Sequence, residues 1–288
     1  AFMFWSTTML LSQISNNLSD SKDKSMAILG AALTGSLAFT FTDTFWFNAV
    51  ETETYAMGTL IMAVLFYLAL RWEQDINSKR GNKWLVLISF IIGLSFGIHF
   101  MGLLTIPAIV LIYFFKNYQT VNIKNFLIAN IAGVAIVMIV FKLILPPTLK
   151  FFSFMELFFV NDLGLPFNSG TIASFFLIAL LFYFFLSYTS KKKLVAANTL
   201  GLCVLFIFIG FSSWIMLPIR ANADVVVNEN NPSTVRELLA YYNLEQYPKT
   251  YLFYGPLFTD QYSGLDAENP YTDDKPKYEK DEKNGKYI

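Results

Sequence analysis

The chain has 288 residues, 55% of them hydrophobic and only 15% charged, with 30 Phe and 15 Tyr. A soluble domain carries about 25% charged and roughly 45–50% apolar residues, so the composition excludes an ordinary soluble protein and indicates a polytopic membrane protein. Lys+Arg and Asp+Glu balance at 21 each, which gives no footing for a nucleic-acid partner, and the single Cys203 excludes an internal disulfide or a cysteine metal cluster.

Residues 1–14 read as the end of a spanning helix; the chain opens Ala1-Phe2-Met3 inside an apolar segment with no signal peptide before it, so the start of that span is expected upstream. The polar run Ser15 to Ser25 closes it. Ala27 to Phe47 follows as one span of the roughly 20 residues that a hydrocarbon core demands. Ala56 to Leu70 returns and ends at Arg71-Trp72-Glu73 and a basic loop with Lys79, Arg80 and Lys83. Trp84 to Phe115 is too long for one helix, and Gly97, His99 and Gly102 mark a turn that makes it two spans meeting at His99. Phe126 to Leu145 is the next span, expected to stop at Pro146-Pro147. Leu149 to Asn168 mixes aromatic residues with Lys150, Glu156, Asn161 and Asp162, a pattern suited to a helix lying at the interface. Thr171 to Tyr188 and Leu194 to Ile219 complete a bundle of about eight spans over residues 1–220. Residues 221–288 turn polar and read as the start of an extracytoplasmic soluble region.

Lys and Arg in the short loops set the orientation. One set of loops holds Lys22, Lys24, Arg71, Lys79, Arg80, Lys83, Lys116, Lys124 and Lys191 to Lys193, eleven in all, against only Lys142 and Lys150 in the other set. The hinge at 45–55, His99, the segment 146–170 and everything after Arg220 are therefore expected outside the cytoplasm.

That outer face collects Asp43, Asn48, Glu51, Glu53, His99, Glu156, Asp162 and Arg220. The hinge Phe45-Trp46-Phe47-Asn48-Ala49-Val50-Glu51-Thr52-Glu53-Thr54-Tyr55 is the centre of interest, because carboxylates at membrane depth need water, a partner or a substrate. On a helix Glu51 and Glu53 would point about 200° apart, so only an extended or turning backbone lets both face one substrate. Asp43 is about two turns away and pairs with Glu51 only if the helix breaks near Asn48. A general base or a metal ligand are both open to these carboxylates, and a solvated loop is the plain alternative. His99, the single histidine, fits either a hydrogen-bonded packing residue or a group that binds phosphate or orients a hydroxyl. Arg220 fits either a side chain snorkelling to headgroups or a phosphate ligand. There is no Gly-rich phosphate loop, zinc spacing or nucleophile elbow.

The run Gly35-Ser36-Leu37-Ala38-Phe39-Thr40-Phe41-Thr42-Asp43-Thr44-Phe45-Trp46-Phe47-Asn48-Ala49-Val50-Glu51-Thr52-Glu53-Thr54-Tyr55-Ala56-Met57 resembles the signature of the membrane proteins grouped as domain of unknown function 2723. Ordered matches follow at Leu68 to Glu73, Gly93 to His99, Ile106-Pro107-Ala108, Gly164 to Gly170, Asn231-Pro232, Tyr242 to Tyr247 and Tyr254-Gly255-Pro256. That family, typical of Bacteroidota, is similar to protein O-mannosyltransferases with the GT-C fold. The resemblance implies an all-α polytopic GT-C-like bundle in the bacterial inner membrane, its site and C-terminal segment facing the periplasm. It implies transfer of a sugar, mannose first among candidates, from a polyprenyl-phosphate donor to Ser or Thr of exported proteins. The implied partners are thus the bilayer, the lipid-linked donor and the acceptor protein; no other cofactor is implied and a divalent metal is left open. In this fold the acidic catalytic loop follows the first span, which places the expected catalytic residue upstream of Ala1. Asp43, Asn48, Glu51, Glu53 and Tyr55 then stand as candidates for the acceptor or sugar site, and His99 with Arg220 for the carrier phosphate. The tail reads Leu244-Glu245-Gln246-Tyr247-Pro248 where the family usually has Arg-Glu-Gln-Tyr-Gly, so no role of that arginine carries over. Competing readings are a GT-C transferase that builds lipid-linked or surface glycan, a non-catalytic envelope scaffold and a transporter. The last is disfavoured because no internal repeat is visible and the polar residues gather at one face.

Overall fold

A run of 18 or more apolar residues satisfies its backbone groups in lipid by becoming a helix, and the structure follows that rule. A computed structural model of the chain describes residues 1–51, 53–118, 120–223, 225–245, 247 and 280–288. Gln246, Pro248 and the Tyr254-Gly255-Pro256 match lie outside these residues. The helices are α1 (Phe2–Ile14), α2 (Lys22–Thr40), α3 (Asp43–Val50), α4 (Tyr55–Asp75), α5 (Asn82–Ser95), α6 (Ile106–Asn117), α7 (Ile123–Met138), α8 (Leu145–Leu157), α9 (Ser169–Lys191), α10 (Val195–Phe211), α11 (Met216–Ala221) and α12 (Val235–Tyr242). A two-residue-stranded antiparallel hairpin, β1 (Lys280–Asp281) and β2 (Lys286–Tyr287), closes the described chain. The protein is an all-α multi-pass membrane protein: among the described residues five helices are long and apolar enough to cross a membrane, six if α2 and α3 count as one bent span. The other two expected spans, α1 and α5, are helical but only 13 and 14 residues long.

Two sequence expectations are corrected here. Ala27 to Phe47 is not one straight helix: α2 ends at Thr40 and α3 restarts at Asp43, bent by 59°. The break falls at Phe41–Thr42 and not near Asn48. Thr40 Oγ1 donates to the Ser36 carbonyl and Thr42 Oγ1 to the Phe39 carbonyl, while Thr42 itself is extended, so hydroxyl bonds add to the last backbone bonds where α2 ends. Asp43 then occupies the first turn of α3, where a carboxylate favours the helix N-terminus. The second correction is Pro146-Pro147, which does not stop the helix. Residues 139–144 widen into a π-turn, and the two prolines sit in the first turn of α8, where a missing N–H is least harmful. The expected interfacial segment is accordingly helical from Leu145 to Leu157 and continues as a second π-turn to Asp162.

The described residues form two compact units, Ala1–Leu143 with Leu181–Met216, and Ile144–Leu180 with Leu217–Ile288. In the first, α5 and α10 run parallel in close contact. A Cβ on Gly93 would overlap the Ile207 carbonyl, and one on Gly210 the Phe90 carbonyl, so both positions require glycine. Asn82 Nδ2 donates to Thr199 Oγ1 (2.9 Å) at one end of the pair, and Trp214 Nε1 donates to the Phe96 carbonyl (2.7 Å) at the other. The second bond satisfies a carbonyl freed where α5 ends. Leu65, Leu68, Ile88, Ile92, Leu103, Ile106 and Ile207 are buried around these helices. The basic end of this unit is tied by Glu73, which accepts from Gln13 and from Lys116 Nζ (2.9 Å). In the second unit α12 opens with a capping box, Thr234 with Glu237, and buries Leu238 and Tyr242; burial raises the Tyr242 phenol above its ordinary pKa.

Candidate functional site

The hinge between α3 and α4 has the turning backbone that two carboxylates two residues apart require. Val50 is the last helical residue of α3, Glu51 is extended (φ −76°, ψ 154°), and α4 restarts at Tyr55. Asp43, Glu51 and Glu53 are exposed and have no hydrogen-bond or ionic partner among the described residues. Asp43 stands at the far end of α3, about 12 Å along the helix from Glu51, so the structure does not bring it to the hinge pair. Asn48 is partly spoken for: its Nδ2 donates to the Thr44 carbonyl (2.8 Å).

Tyr55 and His99 do meet. Their ring centroids are 5.2 Å apart, with the planes 48° from parallel. His99 is extended and caps the 3₁₀ turn Phe100–Thr105, its Nδ1 accepting from the Met101 N–H (3.1 Å). An accepting Nδ1 carries no proton, so in the neutral ring Nε2 holds the proton and is left as a donor. Nδ1 thus has the hydrogen-bonded packing role, and among the described residues nothing pairs with Nε2. The turn packs tightly enough that Gly97 and Gly102 have no room for a Cβ, against the side chains of Ser213 and Ser95. Arg220 belongs to the second unit, exposed in the last turn of α11, with no ionic partner among the described residues.

A second carboxylate, Glu156, is only 3% exposed. It accepts from the Asn168 N–H (2.6 Å), the Thr171 N–H (2.8 Å), Thr171 Oγ1 (2.9 Å) and Tyr287 Oη (3.3 Å). The first two donors are orphan amides at the start of α9, so Glu156 caps that helix from α8. The loop between them is built for this approach. Gly164 (φ 66°) and Asn168 (φ 69°) take left-handed turns, and Gly170 lies so close to Met155 and Glu156 that a Cβ would overlap their backbone. The Gly164 to Gly170 motif is thus a loop that delivers the start of α9 to a buried carboxylate. Asn161 adds a paired bond to the hairpin, accepting from the Tyr287 N–H (2.9 Å) and donating to its carbonyl (2.8 Å), while the Tyr287 ring lies edge-on to Phe167. Burial first, then the Glu156 charge, raises the Tyr287 phenol above its ordinary pKa. Asp162, the last residue of the π-turn that continues α8, is exposed.

Sequence reasoning noticed Glu156 as an odd polar residue but gave it no role. The signal was present: an acid buried in an aromatic helix, followed 8 to 14 residues later by Gly, Pro, Asn and Gly. Among the described residues no group of three His, Cys, Asp or Glu gathers to hold a metal ion.

Residues 1–122 match the family model described as the N-terminal domain of the protein O-mannosyl-transferase TMEM260. The match covers less than half of the chain, and it contains the α2–α3 bend, the hinge carboxylates, Tyr55 and His99. No curated protein matches the chain. No solved structure matches it. The first 122 residues are therefore similar to a transferase domain, and the likeness is O-mannosyltransferase in kind.

Proposed function

We propose that the chain is part of a GT-C-type membrane glycosyltransferase that moves a sugar, mannose first among candidates, from a polyprenyl-phosphate donor to Ser or Thr hydroxyls of exported proteins. The observation that carries the reading is a coincidence of place. The stretch that is similar to an O-mannosyltransferase domain is also the stretch that, among the described residues, leaves acids exposed and unpaired at a backbone bend, just before the Tyr55 that packs on His99. Sugar transfer to a hydroxyl needs a base or orienting acceptor for the incoming O–H and donors for the leaving phosphate oxygen. Glu51 and Glu53 suit the first task as acceptor-only groups, and the His99 Nε2–H suits the second. Tyr55, half-exposed against His99, walls the histidine on one side. Arg220 offers a fixed positive charge suited to a phosphate in its own unit. Orientation follows the cation count, with the hinge end outside the cytoplasm, the inner membrane of a bacterium being the setting.

The test uses the full-length protein reconstituted with polyprenyl-phosphate-mannose and a Ser/Thr-rich exported acceptor, read by intact mass. A hexose added to the acceptor supports protein O-glycosylation. Transfer to lipid or glycan with no acceptor modification sinks that reading in favour of glycan assembly, and inertness toward several donors removes transferase activity altogether.

A further inference from the structure

The first unit gathers unpaired positive charge at the end opposite the hinge, and it does so by folding, not by sequence proximity. The loop after α4 carries Lys79 and Arg80, and the α9–α10 turn carries Lys191, Lys192 and Lys193, more than 100 residues later. Asn82, first residue of α5, and Thr199, just inside α10, hydrogen-bond at 2.9 Å, which pins the two loops at one end of the same parallel helix pair. All five cations are exposed, and none has an ionic partner among the described residues. The nearby acids are already engaged: Glu73 holds Lys116, and Asp75 accepts from Trp84 Nε1 (2.7 Å) and faces Lys83. Trp84 lies under two more cations, with the Arg71 guanidinium 5.4 Å and Lys83 Nζ 4.8 Å from its ring. An indole with its N–H bound and its faces beside cations is the usual furniture of the headgroup layer, where Trp is enriched.

We infer that this end is a binding surface for anionic phospholipid headgroups of the bilayer, with the 79–80 loop and the 191–193 turn forming one phosphate-holding patch. Three of the four helices flanking it, α4, α9 and α10, are long and apolar enough to cross the membrane, which puts their basic ends at headgroup depth. Charge complementarity selects the occupant: five cations without an ionic partner among the described residues, beside a Glu73 and an Asp75 already engaged, attract a phosphodiester and gain little from zwitterionic lipid. The left-handed backbone at Lys193 (φ 55°) turns the chain between α9 and α10. Lysines at the end of α9 also complement its dipole, but that role needs no cation at 79 or 80 and no lipid of a given charge. The inference is independent of the sugar-transfer reading.

The experiment places the full-length protein in nanodiscs with a trace of photoactivatable phosphatidylglycerol or, separately, photoactivatable phosphatidylcholine, and maps crosslinked peptides by mass. Labelling within 74–84 and 190–199 by the glycerol lipid should exceed that by the choline lipid by about tenfold, given the several-fold attraction each basic residue contributes. Joint substitution K79Q, R80Q, K191Q, K192Q and K193Q should abolish the preference, whereas the K→R variants with Arg80 unchanged should keep it. Adding inorganic phosphate should not reverse it. Equal labelling by the two lipids, or a preference surviving the glutamine variant, overturns the inference. All five side chains are exposed, so the variant should fold; an unchanged melting temperature checks this, and if it falls, added salt, which should erase the preference in the unmodified protein, decides the matter instead.

Discussion

The two carboxylate regions of this protein invite comparison because they invert each other. Glu51 and Glu53 sit exposed at a bend with no partner among the described residues, whereas Glu156 is buried and receives four donors. A carboxylate whose acceptor sites are filled by its own fold is an architectural part. One left exposed and without a partner is free to meet something from outside. The difference separates the residues that hold the second unit from the residues suited to act on a substrate in the first.

Glu156→Ala should have the largest effect on stability. It removes the charged acceptor from the Asn168 and Thr171 amides at the part-buried start of α9, at about 1–3 kcal/mol. Glu156→Gln keeps one oxygen and should lie between. Thermal unfolding of the detergent-solubilised protein, followed with all three chains, checks the order. If Glu156→Ala melts with the unmodified protein, Glu156 is not a clamp.

Glu51→Gln and Glu53→Gln should do the opposite. Stability should stay within about 0.5 kcal/mol, as for exposed residues without contacts. Transfer to the acceptor should fall by about 10²-fold for whichever acid orients the incoming hydroxyl. Equal activity in both variants would remove the hinge from the site and leave the comparison without its functional half.

His99 lets the same contrast be drawn within one ring. His99→Asn keeps a strong cap for the 100–105 turn but has nothing at Nε2. His99→Gln reaches the Nε2 position but caps poorly. The cap is worth about 1 kcal/mol, so Gln should lower the melting temperature and retain more activity per folded molecule, and Asn should do the reverse. Variants that track each other in both measurements show that the ring acts only as a cap.

Much of this was legible in the sequence for simple reasons. Apolar length alone marks the membrane helices, because lipid leaves a backbone no alternative, and the pattern of lysines marks the basic end. The break before Tyr55 was legible as a hinge between two apolar runs, whereas the spacing of Glu51 and Glu53 only set the condition under which both could face one substrate. What escaped was local chemistry that composition does not display. Thr40 and Thr42 read as ordinary small residues, yet their hydroxyls bond back to the Ser36 and Phe39 carbonyls at the place where α2 gives way to α3. Pro146-Pro147 reads as a stop, but a π-turn before it makes it a first turn. Glu156 reads as a misplaced charge at an interface, since the donors that justify it lie 12, 15 and 131 residues away. Long-range satisfaction of a buried group cannot be seen from its neighbours in sequence.

The smallest effect concerns the hairpin on the Glu156 network, and it turns on two groups that titrate at opposite ends of the scale. The Asn284 side chain, with the backbone amides of Asn284 and Lys283, donates to Asp281 and holds its carboxyl below the usual aspartate range. A lowered folded pKa means that the ionised turn is favoured above the ordinary aspartate value, and that this advantage disappears as pH falls through the folded one. Tyr287 shifts the other way, so its proton, and with it the bond to Glu156, is kept through neutral pH and lost only as pH rises past its raised folded pKa. Docking of 280–288 should therefore be flat between about pH 6 and 9, whereas the turn loosens under acid. Tyr287→Phe keeps the ring on Phe167 and both Asn161 bonds, so it should cost only about 0.5–1.5 kcal/mol. Asn161→Ala removes two backbone partners at once and should loosen the hairpin more. Hydrogen exchange of the 280–288 peptide in the two variants, corrected for the intrinsic rate, ranks them; if Tyr287→Phe exchanges faster than Asn161→Ala, the phenol and not the carboxamide is what seats the strand.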